Sequence, residues 1–185
     1  MSSLEGQLLI AMPGMSDPNF SETVTFVCKH DSDGAIGIVV NRPSEMSLGE
    51  VCAQLKFDTR IEGEDAEQPI MNGGPVNPDR GFVLHQSEAE FDSTFDPDAE
   101  VKVTVSQDIL RAIARGEGPK PALVALGYAG WASGQLESEI AANAWLSVPT
   151  SPSILFNTPI EQRWQAAAGL LGVDIRQVTS YAGHA

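Results

Sequence analysis

The stretch GYAGWASGQLESEIAANAWL, residues 127–146, decides how this chain is read. It follows a short apolar run, residues 122–126, with the length of a buried strand, and Gly127, Gly130 and Gly134 separate that run from residues with helical spacing. The expected unit is strand, glycine loop, helix. At about 100° per residue, Leu136, Ile140 and Ala144 share one side, Ala141 and Trp145 the next, and Leu146 lies beyond Asn143. A helix that is apolar almost all round is expected to be buried, which sends Gln135, Glu137, Glu139 and Asn143 into a packed interior or along a cleft. Glu137 and Glu139 are about 200° apart on a helix, so they aim at opposite sides and do not serve one bond as acid and base. They are read, with Asn143, as structural polar groups, and Arg42 is the preferred partner of one carboxylate.

Upstream of this unit, residues 8–12 and 23–30 read as strands, with Val24, Phe26, Cys28 and His30 on one face of the second. Asp31-Ser32-Asp33-Gly34 supplies a turn, and residues 35–41 return as the other arm of a hairpin that Pro43 ends. Ser47-Leu48-Gly49-Glu50 matches a capping box, with Met46 and Val51 placed as its hydrophobic staple, and Leu48, Val51, Cys52 and Leu55 form a helical stripe. Residues 56–67 are a polar excursion. Residues 69–72 and 82–85 read as strands separated by Gly73-Gly74-Pro75 and the turn Asn77-Pro78-Asp79-Arg80. A loop over 88–100 leads to alternating Val101, Val103 and Val105, then to a helix capped by Ser106 that carries Ile109, Leu110, Ile113 and Ala114 and stops at Gly116.

Downstream, residues 154–156 read as a short strand. Thr158-Pro159-Ile160-Glu161 opens a helix whose buried line is Ile160, Trp164, Ala168 and Leu171, with Gly172 after its end. Residues 173–185 carry weak structural signals.

The chain has 185 residues, 42% of them hydrophobic, which suits one domain over residues 1–185. Its formal charge is −14, and no basic cluster interrupts the acidic background, so neither direct nucleic-acid binding nor an anionic membrane surface is expected. Cys28 and Cys52 make neither a disulfide framework nor a zinc knuckle. With no leader pattern and no apolar run near the ~20 residues of a membrane span, the expected compartment is the reducing cytoplasm.

The segments GQLLIAMPGM, CKH, GAIGIVVNRP, NGGPV, GFVLH, LGYAGWASGQLESEIAANAWL, ILF and the terminal GHA together resemble the YqgE/AlgH family of bacterial proteins along essentially the whole length. The resemblance implies an α+β fold, a bent and partly barrel-like β-sheet flanked by helices, in a cytoplasmic bacterial protein. It implies no known reaction. Such proteins have been labelled transcriptional regulators of alginate production, yet this chain carries neither a DNA-binding helix pair nor a basic recognition surface. Relatives are often encoded beside a Holliday-junction-resolvase-like protein, which points to a protein partner. Lys29 stands where an acidic residue is common, and Ala132 where glycine is common.

Each chemical constellation has a plainer reading beside it. The glycines before residue 135 could hold an anion on backbone N–H groups, but their spacing is neither dinucleotide nor Walker type, and Glu137 and Glu139 bring negative charge to the same turn. Cys28 and His30 on one strand face, with His85 as a third group, could chelate a metal, though no further ligand is near in sequence. Ser106 and Ser133 lack the nucleophile elbow, and His184 is placed to dock the tail. No cofactor, metal or catalytic residue is assigned. The leading function is a non-enzymatic binding or regulatory module acting through a protein partner. The alternative is an enzyme or small-anion or metabolite binder, with a cleft near residues 127–134 built from Asn41, Arg42, Gly73, Gly74, His85, Gly130, Trp131 and Gln135.

Overall fold

β1 (Gln7–Ala11), β2 (Val24–Asp31) and β3 (Gly34–Val39) lie side by side as antiparallel strands in the computed structural model of the chain, which describes residues 2–175 and 177. In the β2–β3 turn the Asp33 N–H donates to Asp31 Oδ1 at 2.8 Å, the side-chain turn that this sequence supplies. After β4 (Pro43–Ser47) comes α1 (Leu48–Gln54), where Ser47 Oγ accepts from the Glu50 N–H as the capping box requires. α1 buries Leu48, Val51 and Cys52, but Leu55 faces solvent. α2 (Glu64–Glu67), β5 (Pro69–Asn72), β6 (Val76–His85), β7 (Thr94–Phe95), β8 (Lys102–Thr104) and α3 (Gln107–Ala114) follow. All four apolar residues expected along α3 are buried, although Ser106 turns its hydroxyl to Asp108 instead of capping the backbone.

The central stretch departs from its sequence reading. β9 (Ala122–Ala132) does not stop at Gly127 but runs on through Gly130, and α4 (Gln135–Ala141) is correspondingly short. Asn143 ends α4 in the left-handed region, φ 62°, with its N–H on Ile140 O and the Ala144 N–H on Glu139 O. That pair of bonds is the Schellman stop, usually made by glycine and sometimes by asparagine. Trp145 and Leu146 consequently belong to β10 (Trp145–Pro149), and the apolar perimeter expected of the helix does not form. Of its residues only Leu136 is buried.

Three smaller expectations also fail. Residues 77–80 do not separate two strands; they bulge within β6, where the pairing register with β9 slips between Val76 and Gly81. Residues 154–156 lie in a helix, α5 (Pro152–Phe156), because Pro152 starts a turn closed by the Asn157 N–H on Ser153 O. Thr158 does not cap its helix; its hydroxyl donates to Ser153 O, a 3-10 turn at Ile160–Gln162 intervenes, and α6 (Arg163–Gly169) leaves Leu171 exposed. His184 and the terminal GHA lie outside the described residues.

Among the described residues ten strands form one curled half-barrel in the order β10-β1-β2-β3-β9-β6-β8-β7, with β5 parallel to β9 and β4 beside β5. β9 is the hinge of this sheet, pairing β6 and β5 along its first part and β3 along its last. Three apolar clusters fill the concavity and the outer faces. The largest packs Phe26, Ile38 and Leu84 against Trp164, Ala167 and Ala168 of α6, the second lies under α1 and α3, and the third joins Leu9, Trp131 and Trp145 to Leu136 of α4. Together these make a single α+β domain.

Candidate functional site

Three departures from strict strand alternation converge on one hollow. A β-strand turns successive side chains to opposite faces, so an extra residue in one strand moves everything after it to the other face. In β2 the register with β3 slips between Val27 and Lys29: Lys29 pairs with Ile36, His30 with Ala35, and Cys28 is the extra residue. Cys28 and Lys29 therefore look into the same hollow, and His30 is turned away. In β9, Gly127 at φ 81° breaks the phase, so that Tyr128 packs with the cluster holding Leu123 and Ala125, not with that of Val124 and Leu126. Opposite Gly127, residues 77–80 loop out of β6 and deliver Arg80 to the same place.

The hollow measures about 430 Å³, within the range that takes a small molecule or a large side chain. Cys28, Ile36, Phe82 and Tyr128 line its apolar part, and Phe95 and Pro97 form a lip. That lip lies close because Gly6, at φ 78°, leaves no Cβ to collide with Pro97 O, which would sit 2.5 Å from one. Phe82 is the centre of the lining: the Arg80 guanidinium carbon is 5.7 Å from its ring centre and the Tyr128 ring, edge-on, is also 5.7 Å away. Lys29, Glu5 and Asp96 complete the polar rim.

The rim charges differ in how far they are already engaged. Glu5 Oε1 accepts from the His30 N–H at 3.2 Å, and Asp96 lies 3.9 Å from Lys102 Nζ. Lys29 makes an exposed pair with Asp31 at 3.7 Å. Among the described residues Arg80 makes no ion pair and the Tyr128 hydroxyl no hydrogen bond. Burial, and next the Glu5 charge, push the Cys28 thiol far above its ordinary pKa, which keeps it protonated and a poor nucleophile.

Elsewhere the side chains with catalytic potential hold the fold together. His30 Nδ1 accepts from the Leu4 N–H at 2.9 Å, which fixes the proton on Nε2, and that N–H donates to Glu137. Glu139 Oε1 accepts from the indole N–H groups of Trp131 (3.1 Å) and Trp145 (3.0 Å), while Oε2 accepts from Gln135 at 2.8 Å. Arg42 therefore partners neither carboxylate: it donates to Pro18 O and Ser21 O and ties down the loop before β2. The bulge at Cys28 also removes the expected Cys28 and His30 pair, and among the described residues no group of three metal-ligating side chains exists.

The residues expected to share a cleft are distributed along the sheet. Asn41 clamps Val24 N–H and Glu22 O, and Gly73 bridges β3 to β9 through bonds to Val39 and Leu126. Arg42 and Gly74 meet at a small hollow of about 160 Å³ beside Asn72. Gly130, Trp131 and Gln135 lie at the far end of β9, where Trp131 pairs with Ala35 and Gln135 Oε1 accepts from the Ala132 N–H. His85 pairs with Ala122 at the opposite end of β9; it is fully buried, accepting from the Ser87 N–H and donating to Thr104 Oγ1 at 2.7 Å. Burial first, and then Lys102, hold its pKa below the ordinary histidine value. Arg80 and Tyr128 were not singled out from the sequence, and Lys29 was noted only as a departure from the family pattern. The available signals were the unexpected lysine at position 29 and the glycine next to Tyr128.

The AlgH-like family model matches residues 8–176. A UPF0301 protein of Xanthomonas campestris pv. campestris (strain B100) is 52% identical over 182 residues, covering 98% of this chain and 96% of the relative. One from Xanthomonas axonopodis pv. citri is also 52% identical, with the same coverage. The solution structure of the AlgH protein from Pseudomonas aeruginosa superposes with a TM-score of 0.79 at 49% identity, covering 100% of this chain and 99% of that one. A Corynebacterium diphtheriae crystal structure, 19% identical with a TM-score of 0.72 over 90% of this chain and 86% of that one, shares the fold. Among the described residues no helix is long and apolar enough to cross a membrane.

Proposed function

Because the chain belongs to the AlgH-like family, and relatives half identical to it match it from end to end, we propose that it acts as a non-catalytic cytoplasmic binding module with a regulatory role exerted through a protein partner. The hollow floored by Phe82 and Tyr128 is its docking place. One observation carries the reading: the histidines at 30 and 85 and the carboxylates at 137 and 139 are engaged in bonds that hold the fold, while the open hollow offers an aromatic floor and unengaged polar groups. Of the aromatic residues at this hollow Phe95 is exposed and Tyr128 half-buried, and aromatic side chains at a pocket are common anchors of recognition. The resolvase-like protein encoded beside relatives is the first partner to try, and no direct contact with nucleic acid is needed.

The test uses Phe95 on the exposed lip. A photo-crosslinking phenylalanine analogue at position 95, but not at position 55, which is also exposed, should give a discrete heterologous adduct in growing cells. The trapped protein, once purified, should bind with defined stoichiometry in calorimetry and lose about tenfold in affinity to Phe95→Ser, the scale of one peripheral anchor. Equal adducts at both positions, or affinity unchanged by Phe95→Ser, would place the partner surface elsewhere. Turnover of any small molecule at the hollow would overturn the non-catalytic reading.

A further inference from the structure

We propose that the hollow recognises a carboxylate attached to an aromatic or apolar body, with Arg80 and the Tyr128 hydroxyl holding the head and Phe95 and Pro97 the body. This rests on the binding-module reading and names what the module binds. The chain carries 11 basic and 25 acidic residues, so an acidic lining would be the default. Two strand irregularities instead bring Lys29 and Arg80 to one rim. Bulges commonly re-aim side chains beside functional sites.

The rim also holds Glu5 and Asp96, and their engagement decides which sign of ligand is favoured. Glu5 accepts from the His30 backbone N–H and Asp96 lies 3.9 Å from Lys102 Nζ, so each carboxylate keeps its charge but already faces a donor. Among the described residues the groups with neither an ion pair nor a hydrogen bond are the Arg80 guanidinium, which lies over the Phe82 ring, and the Tyr128 phenol, both donors. Arg80 and Tyr128 flank the same Phe82 ring, each with a separation of 5.7 Å. A planar acid lying against Phe95 and Pro97 would present its carboxylate to a guanidinium able to make two parallel hydrogen bonds. An ammonium ligand would meet carboxylates that already accept from other donors and, among the described residues, a guanidinium with no ion pair.

The same chemistry occurs in a free aromatic acid and in the C-terminal residue of a partner protein, and the probes separate the two. The full chain, labelled with nitrogen-15, is titrated with 3-phenylpropionate, with 3-phenylpropionamide, and with acetyl-Ala-Ala-Phe as free acid and as C-terminal amide. The acids should shift the amide signals of Cys28, Lys29 and Tyr128 saturably and bind at least tenfold more tightly than the matching amides. Arg80→Gln should remove that preference while leaving the amides' affinity as it was. Arg80 is exposed, so this variant keeps the fold. Tyr128→Phe should lose about threefold for the acids alone. A tighter tripeptide acid identifies a partner's C-terminus, and a tighter phenylpropionate a free acid; either outcome supports carboxylate recognition. Acid and amide binding equally at the hollow would sink this inference and leave the binding module standing. Shifts confined to other parts of the sheet, or none, would also sink it. Conversion of a probe, with the acid preference still lost in Arg80→Gln, would overturn only the non-catalytic reading.

Discussion

Glu139 shows how one side chain can look like chemistry and serve as structure. Its Oε1 accepts two indole N–H groups, and those two rings stack edge-on with centres 6.0 Å apart, each also touching Phe20. The carboxylate thus ties the end of β9 and the start of β10 to α4. Glu139→Gln keeps one carbonyl oxygen for the indoles but turns its amide donors toward the Gln135 amide. Hydrogen bonds to a charged group are worth about 1.5–3 kcal/mol, so a loss of about 1–2 kcal/mol in urea unfolding, with a change in tryptophan emission, is expected. Unchanged stability and emission would show the cluster to be held by ring packing alone. His85 makes the corresponding point about pH. Its pKa is held low by burial, so the folded chain releases a proton that the unfolded chain keeps near its ordinary value of about 6.5. More protons on the unfolded state mean that stability rises with pH in that window, and is lost as pH falls from about 6.5 toward the folded pKa. Urea midpoints of the wild type should therefore drop between pH 7.5 and pH 5.5, and the drop should be smaller in His85→Gln. Equal pH slopes in both proteins would assign the effect to other groups.

At the scale of elements, the glycines in and beside β9 separate close approach from free space. Gly74, at φ 152°, passes so near β9 that a Cβ would lie 2.2 Å from the Tyr128 carbonyl carbon, whereas a Cβ on Gly130 would find its nearest neighbour at 3.8 Å. Gly74→Ala should destabilise by more than about 2 kcal/mol, because a strained backbone and a backbone collision coincide, while Gly130→Ala should change stability by less than about 0.5 kcal/mol. Thermal melts of the two variants decide it; comparable losses would mean that β6 and β9 shift apart freely. These positions also explain what was legible in advance. The β2–β3 hairpin, the Ser47 cap and the buried face of α3 follow from contacts within a few residues, and they could be read directly. The central unit could not, because Asn143 stops α4 with a φ that its sequence permits but does not demand, and the extent of β9 is set by pairing with three distant strands. The hollow was hidden for the same reason. Bulges at Cys28, Gly127 and residues 77–80 are facts of register, and register is a relation between strands.

For the whole molecule, the question is what the acidic surface admits. The half-barrel carries a formal charge of −14, and several of its exposed cations have acidic partners: Arg60 pairs with Asp58, Arg115 with Glu117 and Lys120 with Asp65. Duplex binding draws its affinity from several Lys or Arg side chains neutralising phosphates along one face, and each contact adds to the salt dependence. Cations converge at two recesses, Lys29 and Arg80 at a hollow of about 430 Å³ and Lys56, Arg111 and Arg115 at one of about 280 Å³; acidic side chains share both, Glu5 and Asp96 in the first and Asp58 in the second, and each suits a small head group and not a phosphate backbone. A regulatory role would therefore have to reach DNA through another protein. In fluorescence anisotropy with a labelled 30-base-pair duplex at about 150 mM salt, the protein alone should show no binding below roughly 100 μM, at the weak end of the ordinary non-specific range. Lowering the salt to about 20 mM should not rescue it, since weaker screening strengthens repulsion between like charges as much as attraction. Micromolar binding that weakens steeply with added salt would show that the cluster of Lys56, Arg111 and Arg115 acts as a basic face, and would put the DNA-binding reading first.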